Sequence, residues 1–313
     1  MTKLLAATVA GIAEAAAALR AGRLVAFPTE TVYGLGALAT DAAAIARLFQ
    51  AKGRPAHNPL ILHVADAPLA ARFAVVDARA ERLAEVFWPG PLTLVLPLRS
   101  DGAIAPAATA GLDTVAVRVP RHPIALALLQ SVAGPVAGPS ANRSGQVSPT
   151  TAAHVMADLE GLIDIILDGG PVAIGIESTV LDLSRPDTAC ILRPGAVTRE
   201  SIEQLLGPLA DADTAEPGPL RSPGLLARHY APRTPVRLDA VDVQADEALL
   251  AFGPEPLTGA AWSLNLSPKG DLQEAARNLY AMLRDLDARG ARRIAVMRLP
   301  ATGVGEAIAD RLR

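Results

Sequence analysis

Four clusters in this chain have the residue types and spacing to do chemistry. The first is Phe27-Pro28-Thr29-Glu30-Thr31-Val32-Tyr33-Gly34-Leu35-Gly36, where two threonine hydroxyls flank a carboxylate and two glycines let backbone approach a ligand. An ordinary strand-to-helix turn would read the same way. In the second, Lys52 and Arg54 bracket Gly53 ahead of Pro55, and Asn58, Pro59, Leu60 and His63 follow. A helix dipole alone favours cations at a helix end, yet two cations around a glycine also suit a rigid loop facing phosphate. His63, on an apolar strand, reads by itself as a core histidine. The third cluster is strand 114–119, with Val115, Val117 and Val119 on one face and Thr114 and Arg118 on the other. A guanidinium ending such a strand is costly to bury without an anion, and its planar fork suits a carboxylate or phosphate. The fourth runs from Val136 through Gly138-Pro139-Ser140-Ala141-Asn142 to Ser144, Gly145, Ser148 and Thr150, small polar groups able to donate to phosphate oxygens. It is not a Walker loop, because no Gly-Lys-Ser or Gly-Lys-Thr follows its glycines. Taken together, the clusters read best as a nucleotide site.

To converge, these clusters need a scaffold. Strand signals alternate with helix signals over the first two thirds of the chain, with strands expected at 23–27, 60–64, 92–98, 114–119, 163–167, 178–183 and 191–193. Asp41 caps a helix carrying Ile45, Leu48 and Phe49, and His122-Pro123 opens another. Residues 1–18 put Lys3 ahead of an apolar, alanine-rich run, a crude imitation of a signal peptide. They lead directly into a strand with no spacer, so the expectation is an amphipathic helix with Glu14 and Arg20 on its wet side. The stretch 208–235 is rich in proline and glycine and reads as a linker. Beyond it, strands are expected at 248–252, 261–266 and 293–299. A helix over 271–289 carries Leu272, Ala276, Leu279, Leu283 and Leu286 on one stripe, and a short closing helix follows Gly305. The expected division is a mixed α/β domain at 12–207, a linker or lid at 208–235 and a small α/β domain at 236–313.

Composition narrows the function. The 313 residues are 50% hydrophobic with a net charge of −3, which argues against bulk electrostatic binding of nucleic acid. Aromatic residues make up 3%, too few for a base-stacking platform. The lone cysteine, Cys190, excludes an internal disulfide and a multi-cysteine zinc site, and it fits a reducing, cytoplasmic setting. No apolar run approaches the ~20 residues of a membrane span.

At the residues that carry the chemistry, the chain resembles the YrdC-like family and its two-domain threonylcarbamoyl-adenylate synthases. The matching elements are the Pro28-Thr29-Glu30-Thr31-Val32-Tyr33-Gly34-Leu35 segment, Lys52 and Arg54 with Asn58-Pro59-Leu60, and Ser140-Ala141-Asn142. Glu177-Ser178-Thr179-Val180, Arg193-Pro194-Gly195, Ser222-Pro223-Gly224 and His229-Tyr230-Ala231-Pro232 complete the series. The resemblance implies a large twisted mixed sheet enclosing a concave basic cavity, then a linker and a small Rossmann-like domain. It implies a threonine site at Thr31, His63, Arg118, Gly138 and Ser178. It also implies an ATP site at Arg54, Asn58, Thr114, Ser140, Ser148, Arg193 and Tyr230, with Lys52 and Asn142 facing phosphate.

The implied reaction joins L-threonine, bicarbonate or carbon dioxide, and ATP into threonylcarbamoyl-AMP and pyrophosphate. Lys52 and Arg54 would neutralise phosphate charge, with Mg2+ bridging phosphate oxygens, and downstream machinery would transfer the product to tRNA. An alternative is a structured-RNA-binding module in which Lys52, Arg54 and Arg47 contact phosphates, leaving weak RNA binding as a secondary activity. Carbamoyl transfer in hydrogenase maturation shares the YrdC-like domain, but those proteins carry cysteine-rich zinc fingers. The linker is expected to fold over the cavity mouth, Tyr230 contacting nucleotide, with the small domain anchoring its far end and supplying no catalytic group.

Overall fold

The computed structural model describes residues 1–55, 57–210 and 231–313. The chain opens with strand β1 (Lys3–Ala6), helix α1 (Val9–Arg20), β2 (Val25–Pro28), β3 (Tyr33–Leu38) and α2 (Ala42–Lys52). It continues through β4 (Ile61–His63), α3 (Ala67–Ala70), α4 (Ala78–Phe87), β5 (Leu92–Pro97), β6 (Thr114–Arg118), α5 (Pro123–Val132) and β7 (Val136–Ala137). Then come α6 (Ala152–Leu159), β8 (Ile165–Asp168), β9 (Thr179–Arg185), β10 (Thr188–Arg193) and α7 (Arg199–Leu206). The second part holds β11 (Val236–Ala240), β12 (Ala248–Ala251), β13 (Trp262–Asn265), α8 (Leu272–Ala288), β14 (Ile294–Met297) and α9 (Val304–Leu312).

Helix starts are written locally. Thr8, Asp41, Asp77, Thr151 and Asp271 each accept from first-turn amides, satisfying donors that the helix itself cannot pair. The strands then assemble by burial. Ten form one mixed sheet in the order β1-β8-β2-β3-β7-β4-β6-β5-β9-β10, and the four-stranded second sheet, β11-β14-β12-β13, is parallel throughout. The expected large mixed sheet and small second α/β unit are both present.

Residues 1–18 differ from the expected single helix. Lys3–Ala6 pairs in parallel with β8, so the large sheet takes in residues before the expected boundary at 12. Four residues of strand followed by the Thr8 cap are too short a signal to separate from the helix behind them. Tyr33–Leu38 is also a strand, where two glycines suggest a loop. Phe27 on the neighbouring strand explains the glycine: a Cβ at Gly36 would sit 3.0 Å from both the Phe27 ring and Val136. Val136–Ala137 and Val236–Ala240 are strands that sequence periodicity passes over.

The second unit packs on the first. Val32, Val147 and Ile176 join an apolar cluster with Leu279, Tyr280 and Leu283 of α8. Polar contacts flank it: Arg284 pairs with Asp158 at 2.6 Å, and Arg277 Nε donates to the Ala173 carbonyl at 3.0 Å. No helix among the described residues is long and apolar enough to cross a membrane.

Candidate active site

The chemistry-bearing residues sit at strand ends that the large sheet brings side by side. β4 and β6 run parallel with His63 opposite Arg118, and the amide of Gly138, just past β7, donates to the Ile61 carbonyl at 2.9 Å. Ser178 precedes β9, and Arg193 ends β10 beside it. Of the expected residues, Thr31, Arg54, His63, Arg118, Gly138, Ser140, Ser178 and Arg193 line one cleft. Lys52, Asn58, Thr114, Asn142 and Ser148 are buried but not on its wall. Thr114 opens the strand that Arg118 ends, roughly 13 Å away along it. Tyr230, with Ser222-Pro223-Gly224 and His229, lies outside the described residues. A larger groove of about 810 Å³ beside Arg20, Arg72 and Arg99 holds none of these side chains.

The threonine-rich turn is a closed hydrogen-bond set. Thr29 Oγ1 donates to the Val32 carbonyl at 2.6 Å and accepts from the amides of Thr31 and Val32. The two threonine hydroxyls also lie 2.8 Å apart. Thr31 Oγ1 in turn accepts from Arg118 Nη1 at 2.9 Å, while Arg118 Nε donates to the Gly90 carbonyl at 3.1 Å. Arg118 Nη2 lies 2.7 Å from Glu30 Oε1, both side chains buried, an ion contact without the alignment of a good hydrogen bond. Burial alone would raise the Glu30 carboxyl, but the adjacent charge of Arg118 holds it below the usual carboxylate range. A guanidinium carries five N–H groups, so one hydrogen on each Nη remains for a substrate carboxylate.

His63 is buried, with the Phe27 ring edge-on at 6.0 Å between centroids. A Cβ at Gly138 would stand 2.7 Å from its Nδ1, so only glycine lets the loop pass over the imidazole. Burial, seconded by the nearby Arg118 charge, pushes the imidazole down to about 3. The ring is therefore neutral at pH 7, a hydrogen-bonding group and a poor base. With the folded value below the unfolded 6.5, the unfolded chain takes up the proton first, so stability falls as pH drops from 6.5 towards about 3. His63→Gln removes that slope. Urea unfolding at pH 6.5 and pH 5 should show the wild type losing ~1–2 kcal/mol more than the variant. Equal losses in both would mean the imidazole is not held neutral by burial.

Lys52 and Arg54 have separate surroundings. The Lys52 ammonium is buried and donates to the carbonyls of Ser140 and Asn142, both at 2.5 Å, tying α2 to the Ser140-Ala141-Asn142 loop. Burial first, then the charge of Arg54, pushes its pKa well down. Arg54 lies on the cleft wall and donates to the carbonyls of Asn58 and Pro59 at 3.2 and 2.9 Å. Asn142 donates to the carbonyls of Arg143 and Gln146, shaping the loop from inside. On the far wall, Arg193 donates twice to the Ser178 carbonyl and once to its hydroxyl, and Ser178 also contacts Thr93 at 2.8 Å.

The sequence reading places Thr29 and Glu30 in a cluster without giving either a role, and it passes over Thr93 and the role of Glu177. Glu30 and Glu177 lie inside motifs quoted above, but nothing in their spacing says what they face. Glu177 lines the cleft and is fully engaged: Ser148 Oγ donates to its Oε1 at 2.5 Å, and Tyr280 and Arg311 donate to its Oε2 at 2.8 and 2.7 Å. Burial would raise its pKa, but the charges of Arg311 and Arg193 and these hydrogen bonds bring it to about 2.

Comparison with known proteins finds relatives over nearly the whole chain. Residues 17–195 match the Sua5/YciO/YrdC family, described as telomere recombination, and residues 197–313 match the family described as threonylcarbamoyl-AMP synthase, C-terminal domain. The chain is 43% identical to a threonylcarbamoyl-AMP synthase of Bacillus subtilis, covering 96% of this chain and 91% of that one. A Pyrococcus abyssi protein of the same name is also 43% identical, over 96% of this chain and 92% of its own. The crystal structure of P. abyssi Sua5 complexed with L-threonine superposes with a TM-score of 0.91 at 39% identity, covering 100% of this chain and 96% of that one. With both halves matched and relatives of this similarity spanning nearly its whole length, the chain belongs to the threonylcarbamoyl-AMP synthase family.

Proposed function

We propose that the cleft makes threonylcarbamoyl-AMP and pyrophosphate from L-threonine, bicarbonate or carbon dioxide, and ATP, as an adenylyl-transferring enzyme that serves tRNA modification. The observation that carries this reading is the pairing of two chemistries in one cleft. Arg118, with Thr31 and His63 beside it, offers a carboxylate clamp and polar partners, and Arg54, Ser140 and Arg193 bring cations and small donors.

In this reading the threonine carboxylate takes the two open hydrogens of Arg118, with Thr31, His63, Gly138 and Ser178 around the amino acid. The amine adds to carbon dioxide, giving a carbamate and releasing a proton. A carbamate oxygen attacks the α-phosphorus, and pyrophosphate leaves with its electron pair. Arg54 and Arg193 offset phosphate charge as it shifts, and alignment in a partly dry cleft supplies the rest. Asn58, Thr114, Ser140, Asn142 and Ser148 shape the nucleotide half, with Tyr230 assigned there by family likeness.

The described residues do not gather three His, Cys, Asp or Glu side chains into one cluster, and Glu177 has its oxygens committed. Mg2+ therefore fits here as part of the nucleotide substrate, held by phosphate oxygens, where it would add to charge neutralisation. The division at 12–207, 208–235 and 236–313, a cytoplasmic setting and a downstream transferase acting on tRNA complete the proposal. The family relatives do not favour the structured-RNA alternative, and weak RNA binding is left as a secondary property.

The test is pyrophosphate release on incubation with ATP, Mg2+, bicarbonate and threonine. Release should require threonine, and valine should replace it poorly. The two are near-isosteric, and a site that pairs a substrate hydroxyl can reject the analogue lacking it by up to ~10⁴-fold. Threonine-independent release, or equal turnover of valine, would overturn the amino-acid assignment.

A further inference from the structure

Glu177 poses an electrostatic problem for a site that must take phosphate. It is a carboxylate on the cleft wall beside Arg193, one of the cations the nucleotide needs. Left alone, it would pair with Arg193 and repel phosphate. The second unit supplies the compensation. Arg311 of α9, its side chain 0% exposed, reaches across 134 residues of sequence to place Nε 2.7 Å from Glu177 Oε2. Its Nη2 donates to the Pro194 carbonyl at 3.0 Å, next to Arg193. Tyr280 of α8, also buried, donates to the same carboxylate oxygen at 2.8 Å. The other oxygen accepts from Ser148, so both Glu177 oxygens are committed away from Arg193.

We infer that Arg311 and Tyr280 are positioning residues for nucleotide binding: the C-terminal unit neutralises and pins Glu177, so that its charge neither repels phosphate nor competes for Arg193, and it holds Ser148 in place. This rests on the adenylylation reading above, and it gives the C-terminal unit a role beyond anchoring a linker. Neither residue touches the reacting atoms. The apolar contact of Val32, Val147 and Ile176 with α8 joins the two units beside this contact by close packing.

The experiment measures equilibrium ATP affinity of the full chain by titration, together with KM for ATP and for threonine. Arg311→Met should weaken ATP binding and raise its KM at least about tenfold, with the threonine KM within about twofold of wild type. The decisive variant is Arg311→Met combined with Glu177→Gln, which removes the stranded charge. It should restore ATP affinity to within about threefold of wild type. A purely structural role in docking the two units predicts no such rescue, and a double variant as weak as Arg311→Met overturns the inference. Should Arg311→Met fail to fold, Tyr280→Phe deletes only one hydroxyl and should raise the ATP KM about threefold. An unchanged ATP KM in that variant would also overturn it. A wild type that binds no ATP would refute the adenylylation reading itself, a different outcome from an Arg311→Met that binds ATP normally.

Discussion

Arg118→Met should lose at least ~10²-fold in threonine-dependent pyrophosphate release and also melt well below the wild type. Two separate losses lie behind this. Glu30 would be left 5% exposed, its ion pair with Arg118 gone, and removing one partner of a buried pair costs ~3–5 kcal/mol. The Thr31 hydroxyl and the Gly90 carbonyl lose a donor as well. The second loss is the fork of two open hydrogens that suits a carboxylate. A double variant, Arg118→Met with Glu30→Gln, tells them apart, because it removes the stranded charge without restoring the fork. Thermal melting should largely recover, while the threonine KM stays high. If activity returns along with stability, Arg118 only holds the turn and another group binds the substrate carboxylate.

Arg54→Ala should lower kcat by ~10²–10³-fold, the ~2.7–4 kcal/mol that follows from losing one group aimed at developing charge. Arg54 is the cation of the Lys52-Gly53-Arg54 pattern that lines the cleft, as Ser140 also does. Lys52→Met should behave differently. Its ammonium is spent inside the protein on the Ser140 and Asn142 carbonyls, and leaving buried acceptors without a donor costs ~1–3 kcal/mol each. The expected signature is a lowered melting temperature and a raised KM for ATP as the loop loosens. The pair therefore tests the sequence reading, in which both cations face phosphate, against a division of roles between them. Steady-state kinetics with thermal melts decides it. Near-normal kcat in Arg54→Ala, or an unaltered melt in Lys52→Met, would refute the respective role.

Much of this molecule is legible in its sequence because the signals are local. Capping residues such as Asp41 and Asp271 and apolar runs such as 92–98 are written within a few residues of the elements they make. The ordered motifs from Pro28 to Arg193 likewise include Thr31, Arg54, Ser140, Ser178 and Arg193, which the fold gathers into one cleft. Where the signal is weak, local reading fails. Val136–Ala137 is two residues long and becomes a strand only because β3 and β4 flank it. Lys3–Ala6 does so because β8 offers an open edge.

Which polar groups face the cleft and which are consumed within the protein was decided only by tertiary structure. Lys52 and Arg54 stand two residues apart, yet one grips backbone at Ser140 and the other reaches the cleft wall. His63 reads alone as a core histidine. It is buried and neutral, as a core residue would be, yet it also lies on the cleft wall. Glu177 and Arg311 are ordinary charged residues until the two units pack together, 134 positions apart in the chain. Periodicity and spacing report neighbours along the backbone, whereas burial, charge pairing and pKa depend on neighbours through space. The sequence alone determined the elements with strong local signals and the chemistry they carry, and the packing determined which side chains were left to perform it.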